Sequence, residues 1–519
     1  MDIKEFFTIT CVLFTSVWQS SDSVPVCCRI SNLQGKSHVI CSGCGLLAVP
    51  KNLPTNTTVL DLSNNKFTSL ERGSFPDLPL LKILYLQRNK LVRITSGSFD
   101  NVSNIQEFYL TDNKLEQFSM DMNVFEILKK LKTLKIQRNN FHIKKLYPEQ
   151  ALSTISKLEY LSMDIFDGFQ FGKRIINQTN LRKLHLSSRG TGGVSLLNSS
   201  FDGLATSNVK ELIIIAPFRK LQTNFLSPFG DLTTLTLRST GTGVTLHDAL
   251  GGLYGIRGRT MESLIIDGFR YKFTKGVDLR ESDMYNLGTI CARKIHLIAN
   301  AISTIGTDAV TAWTTKTCIE ELDMSENLFY LPQSLPLLVL FRSLVHLYAT
   351  NCYPKTFGKR SILIPERIGF LPQNLTSIDI SYSGFSGSIP NFTIETNGLK
   401  VLNVGYSVRH PRCDYVVIKG LVHLQELDMS GVDCSEVYPN AFSEIPNLSR
   451  LTARKCRLGS ILGSNVPAIF KGLNNLSFVD ISANKLQILN SQLFVDQKES
   501  LKYLNLSGNL LDHLPTQLL

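Results

Sequence analysis

An eleven-residue pattern, L-x-x-L-x-L-x-x-N-x-L with other residues standing in at some positions, returns eighteen times between residues 57 and 511. Leu81, Leu84, Leu86, Asn89 and Leu91 fill every position, as do Leu501, Leu504, Leu506, Asn509 and Leu511. Ile105, Phe108, Leu110, Asn113 and Leu115 fill it with apolar substitutes. Further copies start at Thr57, Leu131, Leu158, Leu181, Val209, Leu232, Met261, Ala292, Ile319, Leu344, Leu375, Leu399, Leu424, Leu448 and Leu476. The mean spacing is about 26 residues, the length of one coil in a stacked array. A unit this short cannot bury its apolar side alone, so the copies must stack. In L-x-L both leucines point to one side and the residue between to the other. The pattern predicts a parallel sheet, with one short strand per coil, leucines inside and a row of outward residues on the open face.

The pattern's asparagine turns the chain away from the strand. Its amide both donates and accepts, so it can serve backbone groups that stacking would bury unpaired. Such a ladder is expected through Asn65, Asn89, Asn113 and Asn139, then Asn300 and Asn327, then Asn484 and Asn509. Cys352 and Cys456 fall at the same position and read as buried free thiols. The ladder breaks at Phe166, Arg189, Pro217, Thr240 and Phe269, and again at Ser383, Ser407 and Val432, which predicts changing curvature. Phe75, Phe99, Phe201, Phe442 and Phe494 recur on the far side of the coils and predict an aromatic spine.

The apolar share of 43% and charged share of 19% exclude wholesale disorder. Lys4 precedes an apolar run from Phe6 to Trp18, which reads as a secretory signal over residues 1–23 and is too short to span a bilayer. Export gives meaning to nine Asn-x-Ser/Thr sequons, at Asn56, Asn101, Asn177, Asn198, Asn374, Asn391, Asn447, Asn475 and Asn505. It also makes disulfides the reading for Cys27, Cys28, Cys41 and Cys44, in preference to a zinc site. Bridging adjacent cysteines would strain the peptide, so Cys27 and Cys28 should each reach to Cys41 or Cys44. Cys291 and Cys318 sit one residue before adjacent repeats, in equal phase, and should bridge neighbouring strands. Cys413 and Cys434 are a second candidate pair whose phases differ.

No enzyme signature survives inspection. The glycines of residues 241–258 lack the G-x-x-x-x-G-K-[ST] phosphate loop. "GYSVR" has Arg409 where a nucleophile elbow needs glycine. The nine histidines show no metal-ligand spacing, and no cofactor or metal is expected. The net charge of +11 favours anionic partners. Basic residues fill outward strand positions in repeats two, four, six and ten: Lys82 and Arg88; Lys132, Lys135 and Arg138; Arg182 and Lys183; Arg293 and Lys294. They are candidate ligand-binding residues for a polyanion. A protein ligand, or a hydrophobic one held where the ladder breaks, is the competing expectation.

The cysteine cluster "VCCRISNLQGKSHVICSGCGLLAVPKNLP" leads straight into "TTVLDLSNNKFTSL", followed by repeats of uneven length. This arrangement resembles the ectodomain of a Toll-like receptor, within the leucine-rich-repeat family. The resemblance implies an α/β solenoid, a horseshoe with a parallel sheet on its concave face and a disulfide-bonded N-terminal cap. It sets a cap over residues 24–56 and a solenoid over 57–519. It implies recognition of a microbial or endogenous pattern ligand on the extracellular side of the plasma or endosomal membrane. Dimerisation with another such receptor would then carry the signal. The family's C-terminal cap, membrane helix and signalling domain have no counterpart before Leu519, so a truncated chain is expected. The alternative is a secreted or matrix leucine-rich-repeat protein for adhesion or growth-factor binding.

Overall fold

The computed structural model describes residues 24–188, 192–270, 276–328, 335–352, 367–368, 371–383, 393–394, 398–406, 421–435, 442–462, 467–515 and 518. The signal segment, Arg189, Asn391, Ser407 and Cys413 lie outside these. The contacts divide the chain into two compact units, Met1–Asp164 and Ile165–Leu519.

The first unit opens with an antiparallel hairpin, Arg29–Leu33 against Lys36–Ile40. Disulfides Cys27–Cys44 and Cys28–Cys41 tie it to the following turn. Its second strand pairs in parallel with Thr57–Asp61. Ile83–Tyr85, Glu107–Tyr109, Thr133–Lys135 and Tyr160–Asp164 then follow in parallel, one per repeat. In the second unit thirteen strands, from Lys183–Ser187 to Tyr503–Asn505, pair in parallel one after another among the described residues, beside three shorter two-stranded parallel pairs. The repeat therefore builds a leucine-rich-repeat solenoid architecture.

Inward positions are buried as the alternation requires. Leu84, Leu86 and Leu134 have no exposed surface, and Leu322 and Leu427 are buried. Leu504 departs from expectation and is only half-buried; among the described residues its strand pairs on one side, with Phe478–Asp480. The aromatic spine is present and longer than expected. Phe75, Phe99 and Phe125 follow one another at 6.1 and 6.4 Å between ring centroids, and Phe442, Phe470 and Phe494 at 6.3 and 5.5 Å.

The asparagine ladder holds coil to coil. Asn113 Nδ2 donates to Leu86 O and Leu110 O, both at 3.0 Å, while its Oδ1 accepts from Leu91 N of the preceding coil. Asn327 repeats this with Leu297 O, Met324 O and Ile302 N. Ser383, expected to break the ladder, continues it: its hydroxyl donates to Ala349 O at 2.7 Å and accepts from Cys352 N. A hydroxyl, like an amide, both donates and accepts. Pro217, Thr240 and Phe269 do interrupt it, and there the strands lengthen. Glu211–Ala216, Thr234–Ser239 and Thr260–Asp267 run six, six and eight residues. Added backbone pairs such as Ala216 with Ser239 use main-chain groups that side chains serve elsewhere.

Cys352 and Cys456 are buried and free. Their sulfurs face Met324 O at 3.5 Å and Met429 O at 3.2 Å, in the ladder's place. Burial pushes both thiols up to about 12. At pH 8 iodoacetamide should leave both unmodified in native protein and label both after unfolding. Native labelling at the rate of a free cysteine would contradict their burial.

The Cys291–Cys318 bridge is present, with Cα atoms 5.4 Å apart. Cys434 is disulfide-bonded; Cys413, its expected partner, lies outside the described residues.

Candidate functional site

Three-residue strands present their first and third side chains outward, so parallel register lines these up in rows. In the first unit one row runs Val59, Ile83, Glu107, Thr133, Tyr160. The next runs Asp61, Tyr85, Tyr109, Lys135, Ser162. Tyr85 and Tyr109 stack with centroids 4.6 Å apart. The Lys135 ammonium lies over Tyr109 at 4.9 Å and over Tyr160 at 5.2 Å, within cation–π range. Tyr109 OH donates to Glu107 at 2.6 Å. Burial, then the Glu107 hydrogen bond and charge, hold the Tyr109 phenol well above its usual range. Burial with Glu107 and Asp61 raises Tyr85 as well. The phenols therefore stay neutral, and the patch is an aromatic surface with one cation set into it.

The expected basic residues are present on the outward face, but most already have acidic neighbours. In the first unit Lys132 pairs with Glu159 at 2.8 Å, and Arg88 and Arg138 both reach Asp112. Lys82 is exposed and has no ion pair among the described residues. Arg88, Asp112 and Arg138 sit at the left-handed residue, φ 56 to 60°, just before each ladder asparagine. That turn brings the three side chains together at the strand exits.

In the second unit Lys183 pairs with Glu211 at 2.6 Å, and Arg182 donates to Thr179 O. Arg293 bridges Glu262 at 3.0 Å and Glu320 at 2.8 Å, while Lys294 and His296 share Glu321. Burial alone would raise Glu321, but hydrogen bonds from His296 and Lys294 outweigh it and hold the carboxyl low. Sequence reasoning also missed a turn device. Asp323, Asp379, Asn403, Asp428 and Asp480 each accept the backbone N–H of the residue two further on, at 2.9–3.0 Å. These outward side-chain oxygens, four carboxylates and the Asn403 amide, close the strand exits. The D-x-S spacing that recurs at the four aspartates was the signal.

Of the sequon asparagines, Asn101, Asn198, Asn374, Asn447 and Asn475 are exposed, and Asn56 and Asn505 are half-exposed. Asn177 has no described side chain. The sulfurs of Cys27, Cys28 and Cys44 lie close enough together to hold an ion, but all three are spent in disulfides.

Residues 55–115 match the family model for the leucine-rich repeat. Chondroadherin-like protein of Homo sapiens is 48% identical over 48 residues, 9% of this chain and 6% of that protein. Decorin of Gallus gallus is 52% identical over 46 residues, 9% of this chain and 13% of the relative. Leucine-rich repeat-containing G-protein coupled receptor 4 of Mus musculus is 38% identical over 72 residues, 14% and 8%. The matches thus span no more than 13% of these relatives' own length. With the repeat match, the inward leucines and the coil-to-coil ladder in place, the chain is a leucine-rich-repeat protein.

Proposed function

We propose that this chain is the extracellular recognition part of a leucine-rich-repeat protein of the adhesion or growth-factor-binding kind. It takes a protein ligand on the outward sheet face of its first unit and performs no catalysis. The stacked Tyr85–Tyr109 pair, with Lys135 and Tyr160, carries this reading. Large, stiff aromatic rings are the side chains that anchor protein interfaces, and here they stand in register on adjacent strands. The disulfides fit an oxidising compartment. Among the described residues no helix is long and apolar enough to cross a membrane.

A polyanion is the less favoured ligand, because carboxylates on neighbouring coils offset most of the basic residues. A Toll-like innate immune receptor, paired by a microbial ligand, is the second reading. It rests on the N-terminal cysteine cap and uneven repeats, and the relatives named above lend it no support.

The test is to screen the soluble chain against an array of purified extracellular protein domains and against immobilised heparin. A protein hit should weaken at least tenfold in Y85A/Y109A, a loss of about 1.4 kcal/mol. Heparin binding should vanish near physiological salt. Heparin binding that persists there, ignores the tyrosines and falls in K82S/K132S/R138S would replace the protein ligand with a polyanion.

A further inference from the structure

Asn505 differs in its surroundings from the other described sequon asparagines. Asn56, Asn101, Asn374 and Asn447 lie outside the strands, with Nδ2 donating to a backbone carbonyl 21 to 32 residues earlier in the chain. Asn505 is the last residue of the strand Tyr503–Asn505 and stands on the outward face of the sheet. Tyr503, two residues earlier, is on the same face. Tyr503 is 47% exposed, and its ring lies flat against Phe478 of the neighbouring strand, with centroids 4.4 Å apart and planes 4° from parallel. The Arg450 guanidinium lies over the Phe478 ring at 3.7 Å. A three-member column therefore ends in an exposed tyrosine one strand pleat from a sequon.

We propose that Asn505 carries an N-linked glycan whose first sugar lies against Tyr503, so that sugar covers the sheet face of the last coils. Within Asn505-Leu506-Ser507 the Asn505 Oδ1 already accepts the Ser507 N–H at 3.0 Å, and Nδ2 donates to Asp480 Oδ2 at 3.0 Å. These contacts fix the amide plane and direct the nitrogen along the sheet face. In the transfer, Nδ2 bonds to C1 of an oligosaccharide carried on a lipid diphosphate. The C1–oxygen bond to the diphosphate breaks, the lipid diphosphate leaves, and Nδ2 gives up one of its two protons. The remaining N–H keeps a donor for Asp480. The first sugar's C–H face can then cover the aromatic surface that Tyr503 leaves open to water. Phe99, two residues before Asn101, also belongs to an aromatic column but is fully buried, and no other described sequon has an aromatic residue at that spacing, so Tyr503 alone among them offers an exposed ring there.

The proposal rests on the chain being exported and is tested on the protein secreted from a glycosylating cell line. Glycopeptide mass spectrometry of the fragment containing Tyr503–Ser507 should find Asn505 occupied. S507A should remove that glycan alone, since the Asn505 Oδ1 contact is to backbone. An unmodified Asn505 in secreted protein would overturn the proposal; a chain that is never secreted would count first against the extracellular reading. Stacking is read separately. Y503A should lower Tm by about 2 °C more in the glycosylated background than in S507A. Equal losses would place the sugar away from the ring and overturn that half of the proposal. Y503F, which keeps the ring, should show no such difference.

Discussion

Leu84→Asp is expected to abolish cooperative folding of the first unit and to cut secretion to a small fraction of the parent level. Leu84 has no exposed surface and lies in register between Leu60 and Phe108, so three coils close over it. A carboxylate there has no partner and no water, and the leucine's own packing is lost as well. The combined cost is about 5 kcal/mol or more, a large part of what holds an array of this kind together. The cost should depend on pH. Burial raises the introduced carboxyl's pKa above its unfolded value of about 4, so the ionisation penalty is full above the raised value and shrinks as pH falls from there toward about 4. Leu84→Met changes shape without charge and should stay within about 1.5 kcal/mol of the parent. Urea unfolding of both variants, followed by circular dichroism, separates them. A parent-like midpoint for Leu84→Asp would mean that the alternation has been assigned to the wrong face.

The alternation and the ladder were legible because each repeats with one fixed chemistry. A leucine two residues from a leucine can only share its side of a strand, and an asparagine three residues later meets the same backbone groups in every coil. Cys291 and Cys318 were legible for the same reason, since equal phase in adjacent coils means adjacency in space. Ser383 misled because the ladder was read as a residue type. What the position needs is a group that donates and accepts, and a hydroxyl 2.7 Å from Ala349 O meets that need. The longer strands of residues 211–267 were not legible, because the pattern ends at its asparagine and says nothing about where pairing stops without one.

The candidate site was harder to read because it depends on rows that cross the strands. Lys183 and Glu211 are far apart in sequence, yet they are register partners and form an ion pair. A count of outward charges sees both residues but not that they meet, so it overstates the field that a polyanion would feel. Tyr85 and Tyr109 were equally visible as outward residues and were passed over in that count of charge. Their stacking follows only once both strands are in register, and Lys135 joins them because its row places it beside Tyr109.

A substitution series at Asn113 should order by hydrogen-bonding capacity and not by size. Asn113→Ala strands Leu86 O, Leu110 O and Leu91 N, three buried backbone groups that the amide now serves. At about 1–3 kcal/mol for each unsatisfied group, partly relieved by relaxation, the loss should reach about 3–5 kcal/mol. Asn113→Asp can still accept from Leu91 N but turns a charged oxygen toward two carbonyls, so at neutral pH it should be at least as damaging. Asn113→Cys and Asn113→Ser should fall between Ala and the parent, since the chain uses a thiol at Cys352 and Cys456 and a hydroxyl at Ser383 to reach the equivalent carbonyls. Each coil contacts chiefly its neighbours, so the damage should be local. Hydrogen exchange should show lost protection around residues 81–140 of the intact chain, with little change in the last coils. Equal losses for Ala, Ser and Cys would mean that the position needs only to be small, and the ladder would then be a by-product of packing instead of the bond that spaces the coils.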